Sequence, residues 1–212
     1  YVDNPEMWER GERYVKEAMA RLGLEYVEAP GEAAFYGPKI DIHIRDAIGR
    51  HWQCGTVQLD MALPEKFELE YIDSDGQHKR PVMLHRAIVG SLERFIGILI
   101  EQHAGALPLW LAPVQVAVLN ITDSQAEYAQ NVAKMLKNQG LRVDLDLRNE
   151  KINYKVREHS LAKVPYLLVA GRREAEGRTL TLRRLGSEAQ ENLALTAALH
   201  MLKEEAVPPD LG

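Results

Sequence analysis

The chain opens with a helical spacing of apolar residues and then changes to a strand-like one. Asn4-Pro5 is typical of a helix start, with Asn4 as the capping residue and Pro5 in the first turn. Apolar residues then recur three and four positions apart as far as Gly23, which predicts a helix with one apolar face. Between Lys39 and Arg45 an isoleucine occupies every second position, which predicts a strand with one buried and one polar face.

A second strand is predicted from His51 to Asp60, and it is unusually rich in uncharged polar side chains. Gln53 and Gln58 are five positions apart, so a regular strand would place them on opposite faces. If both glutamines serve one site, a bulge is required, and Gly55 is its expected position. We interpret Cys54 as a small buried thiol, because no partner spacing supports a nucleophile or a metal ligand.

The stretch from Pro81 to Phe95 joins a short apolar strand to a helix. Gly90 lies at the junction, where the absence of a Cβ lets another group approach the backbone closely. Ser91 can cap the helix and leave its first N–H groups available to an anion, and Arg94 follows one turn later on the same face. This arrangement could hold a phosphate. An ordinary helix start with a surface arginine explains the residues alone equally well.

The pattern changes after two prolines, Pro108 and Pro113, which limit helix formation and indicate a domain boundary. Before it, a hairpin turn at Asp73–Gly76 leading into the strand at Pro81 predicts an antiparallel sheet flanked by helices. After it, strands alternate with helices, which predicts an α/β unit with a mostly parallel sheet. The predicted strands cover 114–119, 142–147, 166–170 and 179–184, and the predicted helices cover 124–140, 152–161 and 188–203.

Composition is that of a globular chain of one or two domains, with 46% hydrophobic and 27% charged residues in 212. No apolar run is long enough to span a bilayer, so we expect no membrane association. A single cysteine excludes an intrachain disulfide and fits a reducing compartment, so we expect a cytoplasmic protein. The chain begins with Tyr1 rather than methionine, and we expect it to be a fragment.

Charge is unevenly distributed along the chain. The net charge of −5 argues weakly against a nucleic-acid partner. Between Leu141 and Arg184, however, there are eleven lysines and arginines and six acidic residues. A basic segment in an acidic chain can bind a phosphate backbone, although basic surfaces are also common in proteins that bind no nucleic acid.

Three stretches of the first half resemble the threonyl-tRNA synthetase family of class II aminoacyl-tRNA synthetases. They are the motif 3-like stretch with His85-Arg86-Ala87, the segment Phe35–Lys39, and the block Trp52–Asp60. The resemblance implies that Lys39 and Arg94 contact the reacting phosphates as catalytic residues, and that His85 is a zinc ligand whose companion ligands lie upstream. It further implies that threonine and ATP, with Mg²⁺, are bound by Tyr36, Gln53, Thr56, Gln58 and Ser91.

The second half resembles the anticodon-binding domain that the synthetases for threonine, proline, histidine and glycine share. The similar segments are Asp146–Ile152 and Val164–Gly171. Lys163 departs from an expected arginine and cannot make a planar bidentate contact. We expect Lys155 to contact RNA phosphates without sequence preference. The resemblance implies that anticodon bases are read by Asn149, Arg157, Lys163, Glu174 and Arg183, with Arg184 as the alternative to Arg183.

The expected architecture is therefore an α+β antiparallel-sheet portion of a class II synthetase catalytic domain followed by an α/β, mostly parallel-sheet anticodon-binding domain. The expected boundaries are 1–107, a linker at 108–113, and 114–212. The implied function is that of a threonine–tRNA ligase acting on tRNA-Thr, homodimeric in its complete form. Because the motif 2 arginine and two zinc ligands are absent from this chain, we expect it to be inactive alone. A non-catalytic tRNA-binding module and a prolyl, histidyl or glycyl relative are the alternatives.

Overall fold

A computed structural model of the protein describes residues 3–210, and contacts divide the chain into two compact units, Tyr1–Gln102 and His103–Gly212. The first unit contains a three-stranded and a two-stranded sheet, and the second unit contains one five-stranded sheet. The expected linker at 108–113 stays a prediction. Within residues 3–210, no helix combines the length and the apolar character needed to cross a membrane.

The first unit is built on a three-stranded antiparallel sheet. Its elements are α1 (Pro5–Arg21), β1 (Lys39–Arg45), β2 (His51–Asp60), α2 (Ala62–Lys66), β3 (Tyr71–Ile72), β4 (His78–Lys79), β5 (Met83–Ala87) and α3 (Leu92–Gln102). The strand order is β1-β2-β5, so β2 is central and pairs on both edges. The predicted helix start is confirmed, because the Asn4 side chain accepts a hydrogen bond from the Met7 N–H at 3.1 Å.

Two details of the first unit differ from the sequence expectation. The turn at Asp73–Gly76 forms, with the Gly76 N–H donating to the Asp73 carbonyl at 2.8 Å, but it joins β3 to β4 in a separate two-stranded sheet. The strand after Pro81 is β5, which pairs with β2 instead. Ile42, predicted to be buried on β1, is 53% exposed.

The second unit is a mixed five-stranded sheet with helices on both faces. Its elements are β6 (Val116–Asn120), a 3₁₀ turn (Asp123–Gln125), α4 (Ala126–Asn138), β7 (Val143–Asp146), α5 (Ile152–Leu161), β8 (Tyr166–Ala170), α6 (Arg172–Gly177), β9 (Thr179–Arg184), β10 (Gln190–Ala194) and α7 (Leu195–Glu205). The order is β10-β9-β8-β6-β7, with β6 parallel to β7 and β8, and β9 antiparallel to both its neighbours. The predicted start of the last helix at residue 188 is wrong, because 190–194 pair with β9 as β10.

The central strands of this sheet are buried on both faces, as their continuous apolar runs predict. On one face, α4 and α7 pack through Val132, Leu136 and Leu202 against Val118 and Leu168. On the opposite face, a smaller cluster packs under α5. Its members are Val114, Ala117, Leu119, Ile152, Val156, Val164 and Leu167.

A buried lysine ties together the carboxyl ends of β6 and β7. Lys155 on α5 is 0% exposed, and its Nζ donates to the Asn120 Oδ1 at 2.7 Å and to the carbonyls of Asn120 and Asp146 at 3.2 and 3.1 Å. Burial lowers the pKa of Lys155, opposed by the charge of Asp146, whose Oδ1 lies 3.9 Å away. The expectation that Lys155 contacts RNA phosphates is therefore wrong. Its ammonium is enclosed by the fold.

Replacing this lysine should loosen the second unit. Lys155→Met keeps the side-chain length but removes three hydrogen bonds to buried acceptors, and we expect a loss of about 3–5 kcal/mol. Native-state amide hydrogen exchange of β6 and β8 measures it in this unit alone. Lys134→Met, at an exposed position of α4, is the matched control, with an expected change below about 0.5 kcal/mol. Equal protection in the two variants would contradict the role given to the ammonium.

Candidate functional site

A bulge in β2 determines which side chains share its polar face. Ile42 pairs with Gly55 and the next residue, His43, pairs with Gln53, so Cys54 is the additional residue on β2. The bulge expected at Gly55 is thus found beside it, and Cys54 is buried as predicted, at 4% exposed. Because one residue is inserted, Gln53 changes face relative to a regular strand.

Pairing across the sheet brings most of the predicted first-unit site residues to that face. Lys39 pairs with Gln58, and Gln58 in turn pairs with His85. Directly opposed residues in an antiparallel sheet project from the same face. We call this the polar sheet face, which comprises Lys39, Asp41, Gln53, Thr56, Gln58, Asp60 and His85.

Tyr36, in the turn before β1, contacts two residues of the polar sheet face. Its hydroxyl donates to the Gln58 Oε1 at 2.5 Å, and its ring lies edge-on to the His85 ring with 5.9 Å between centroids. The Gln58 side-chain oxygen accepts from Tyr36, which orients the amide and leaves its NH₂ group to donate to a ligand. The predicted neighbours Tyr36, Gln58 and His85 therefore form one cluster.

Lys39 is paired within the same face. Its Nζ lies 2.5 Å from the Asp41 Oδ2, and both side chains are largely buried. Burial acts to raise the pKa of Asp41, but the Lys39 ammonium and the Thr56 hydroxyl, with a smaller contribution from the Gln53 amide, together outweigh it, and the pKa is lowered. The other carboxylate oxygen, Oδ1, and the hydroxyl of the opposed Thr56 are buried without a hydrogen bond of normal geometry.

The start of α3 is held against the bulge. Gly90 has φ +62°, and a Cβ there would lie 2.7 Å from the Cys54 carbonyl oxygen. Ser91 Oγ accepts from the Arg94 N–H at 3.4 Å, a long capping bond. The Arg94 guanidinium donates to the Gln53 carbonyl at 3.2 Å and lies 5.6 Å from the centroid of the Trp52 ring. Arg94 is exposed, so its remaining donors are available to an anion.

Asp60 was not identified from the sequence. It is fully buried at the end of β2, where its Oδ1 accepts from the Ala62 and Leu63 N–H groups at 2.9 and 3.0 Å. Its Oδ2 lies 2.7 Å from the His85 Nε2. The available signal was its spacing: an aspartate two residues after Gln58 lies on the same face and precedes a short helix.

His85 is the metal-ligand candidate in this unit. Across residues 3–210, no group of three or more His, Cys, Asp or Glu side chains could hold a metal ion. By itself His85 could supply one ligand of a metal site. An imidazole backed by a carboxylate is the usual arrangement of a zinc-binding histidine, so the residue fits that role.

In the second unit, the two adjacent arginines of β9 point to opposite faces of the sheet. Leu180 and Leu182 point into the core beneath α4 and α7, so Arg183 points to the α5 side. There it lines a small pocket with Ser160 and Leu167, and part of Arg184 borders the same pocket. Arg184 instead reaches Glu205, with 2.5 Å between Nη2 and Oε1, and lies 5.4 Å from the Tyr166 ring centroid.

The other predicted RNA contacts flank the same side of the sheet. Arg157 lies on α5 one turn before Ser160, and Lys163 follows in the turn before β8, with φ +60°. Glu174 on α6 accepts from the Gly171 N–H at 3.0 Å and from the Thr181 hydroxyl at 2.8 Å. Asn149 is exposed in the loop after β7.

The residue before Asn149 is held firmly. Arg148 donates to both carboxylate oxygens of Asp146 at 3.0 and 2.7 Å and to Glu158 at 2.5 Å. The Arg148 guanidinium is the largest contribution that lowers the pKa of Asp146, and it outweighs burial. The loop that carries Asn149 is thus fixed to the same carboxylate that lies beside Lys155.

Comparisons with known proteins match the two halves of the chain to two different protein families. Residues 4–103 match the model of the tRNA synthetase class II core domain (G, H, P, S and T), and residues 115–205 match that of the anticodon binding domain. A threonine–tRNA ligase of Parvibaculum lavamentivorans is 58% identical over 97% of this chain, and one of Phenylobacterium zucineum is 60% identical over 98%. This chain spans about a third (32%) of the length of each.

A solved structure gives the same result. The RNA binding domain of threonyl-tRNA synthetase from Cryptosporidium parvum matches with a TM-score of 0.91 and 39% identity, covering all of this chain and 54% of that one. The identity and fold agree over both units. The chain therefore belongs to the threonine–tRNA ligase family of class II aminoacyl-tRNA synthetases, and it carries a class II core-domain portion followed by the anticodon-binding domain.

Proposed function

We propose that the protein carrying this chain activates threonine with ATP and transfers the threonyl group to tRNA-Thr, and that the polar sheet face forms one wall of the adenylate site. The observation that carries the proposal is the convergence of Lys39, Gln53, Gln58 and His85 on one face beside Tyr36, with Arg94 at its edge. We further propose a cytoplasmic, homodimeric enzyme in its complete form.

In this proposal the chain contributes positioning and electrostatic stabilisation. Attack of the threonine carboxylate on the α-phosphate of ATP builds negative charge on phosphate oxygens, which fixed cations stabilise without reorganising. Arg94 is suited to this role, because its guanidinium is held by the Gln53 carbonyl and the Trp52 ring while its other donors are free to bind. Lys39 would exchange part of its pairing with Asp41 for the carboxyl–phosphate group.

The uncharged groups of the face would orient the nucleotide and the amino acid. Gln53, Thr56 and Gln58 present amide and hydroxyl groups, and Ser91 lies at the first turn of α3. His85 would hold a zinc ion as one of its ligands, and the zinc would supply a Lewis-acid centre able to bind the threonine amine and hydroxyl. Such a site would help the enzyme to select threonine, because an apolar pocket discriminates poorly between threonine and the isosteric valine.

The second unit would read the anticodon on the α5 side of its sheet. Single-stranded loop bases can be splayed out and recognised by hydrogen bonds to side chains. Arg157, Lys163 and Arg183 supply donors around Ser160, while Glu174 and Asn149 follow the carboxyl ends of β8 and β7. Arg183 is a better candidate than Arg184 for reading a base, because the Arg184 guanidinium pairs with Glu205 on the other face.

Replacement of Arg94 tests the adenylate site. In the complete synthetase, Arg94→Ala should lower the rate of threonine-dependent ATP–pyrophosphate exchange by about 10²–10³-fold, as expected for loss of one preorganised donor to developing charge. Arg94→Lys should recover only part, since an ammonium cannot donate to a carbonyl, cover Trp52 and bind phosphate in the same way.

The control is Arg21→Ala, which removes an exposed arginine from the last turn of α1. It should leave exchange unchanged. An Arg94→Ala enzyme as active as this control would contradict the phosphate-binding role proposed for Arg94.

The two adjacent arginines of β9 test the anticodon surface. We expect the isolated chain to bind a tRNA-Thr anticodon stem-loop weakly and with affinity that falls with salt, and to be unable to charge tRNA. Arg183→Ala should weaken cognate binding by about 1–3 kcal/mol and reduce discrimination against an anticodon-swapped loop. Arg184→Ala should leave discrimination intact.

Fluorescence titrations with both stem-loops at two salt concentrations measure these differences. Equal losses of discrimination in the two variants, or none in either, would contradict the assigned reading surface. Threonylation by the isolated chain would contradict the expectation that it cannot charge tRNA alone.

A further inference from the structure

Asp60 and His85 form a carboxylate–imidazole pair at the end of the polar sheet face, in which the carboxylate is buried and the imidazole is partly exposed. Asp60 is 0% exposed, whereas the side chain of His85 is 39% exposed. The carboxylate is held rigidly, because its Oδ1 accepts from two successive backbone N–H groups at the start of α2. Only its Oδ2 faces the imidazole, at 2.7 Å from Nε2.

This geometry fixes which ring nitrogen carries the proton. The two backbone N–H groups that donate to Oδ1 are placed to stabilise the ionised carboxylate, and the short contact with Nε2 requires one of the two atoms to be a donor. An ionised carboxylate can only accept hydrogen bonds, so Nε2 of His85 must be the donor. In the neutral ring, Nδ1 then has a lone pair and no hydrogen. Among residues 3–210, no hydrogen bond is made by this Nδ1.

We propose that Asp60 is a positioning residue for His85: it holds the Nε2–H and so keeps Nδ1 unprotonated and oriented as the metal-binding nitrogen. This inference rests on the proposed role of His85 as a zinc ligand. It adds a residue that the sequence motifs did not identify and names the nitrogen that ligates. Carboxylate partners of this kind raise the basicity of a ligating histidine and fix its orientation.

The substitution Asp60→Asn gives a sharp test because it separates the two functions of the carboxylate. The asparagine Oδ1 can still accept from Ala62 and Leu63, so the start of α2 is retained. Its other terminal group is then an NH₂ that faces Nε2. A donor opposite a donor is unfavourable, so the proton of the His85 ring should move to Nδ1, the nitrogen that the metal needs.

The first measurement is the tautomer of His85 in this chain, by long-range ¹H–¹⁵N NMR of ¹⁵N-histidine-labelled protein at about pH 8, where imidazole is neutral. The His85 signals are assigned by their loss in His85→Gln. We expect the protonated nitrogen to be Nε2 in the original chain and Nδ1 in Asp60→Asn. His159, whose Nε2 lies 3.1 Å from Asp146 in the second unit, is an internal reference that should not change.

The second measurement is zinc affinity in the complete synthetase, by chelator competition. Asp60→Asn should weaken zinc binding by about 10- to 100-fold. The matched control is Asp46→Asn. Asp46 is another buried carboxylate of the first unit that accepts from two backbone N–H groups, of Ile48 and Arg50, and bonds side chains other than His85. It should leave zinc affinity and the His85 tautomer unchanged.

The outcomes separate the two levels of the proposal. A protonated Nδ1 in the original chain overturns the inference without any variant. Loss of zinc in His85→Gln together with full affinity in Asp60→Asn overturns the positioning role but leaves His85 as a ligand. Full zinc content in His85→Gln instead contradicts the proposed zinc role of His85, whatever the tautomer.

Discussion

The register of β2 is the constraint on which the first unit depends. This strand pairs with β1 on one edge and β5 on the other, and the inserted Cys54 displaces Gln53 to the face of Thr56 and Gln58. Without that bulge, the two glutamines would lie on opposite faces. Gly90 and Arg94 are placed by the same irregular segment, one through the close approach to the Cys54 carbonyl and the other through the Gln53 carbonyl. The inserted residue thus places both glutamines on one face, and the start of α3 packs against the same segment of β2.

In the second unit, the constraint is a buried ammonium at the ends of two neighbouring strands. The carboxyl ends of β6 and β7 are joined by the enclosed ammonium of Lys155, and the same Asp146 that lies beside it fixes Arg148. A buried ion pair is weak evidence for stability, because desolvation offsets attraction. Its effect here is positional. It sets where the loop with Asn149 leaves the sheet.

Much of this architecture follows from sequence pattern. Helix α5 and strands β8 and β9 have the predicted bounds, and α1 begins where Asn4-Pro5 predicts. The bulge could be inferred because two glutamines required it and a glycine could accommodate it. These features are local, so a short window of sequence contains the information.

The features that were missed depend on distant partners. Residues 190–194 contain Gln, Glu and Leu, which favour helix, but pairing with β9 overrides that preference. The hairpin turn was predicted, yet its second strand is β4, since β5 finds a longer partner in β2. Lys155 could not be recognised as buried, because its acceptors lie on strands elsewhere in the sequence and two are main-chain carbonyls. Asp60 likewise becomes significant only when β5 places His85 opposite β2.

The central claim is that the polar sheet face and the start of α3 form one wall of the adenylate site. Amide hydrogen exchange of the complete synthetase, with and without a non-hydrolysable threonyl-adenylate analogue, tests it most directly. The account predicts new protection at Tyr36–Lys39, along β2 from Gln53 to Gln58, and at the first turn of α3. Unchanged exchange in these three segments at saturating analogue would contradict it.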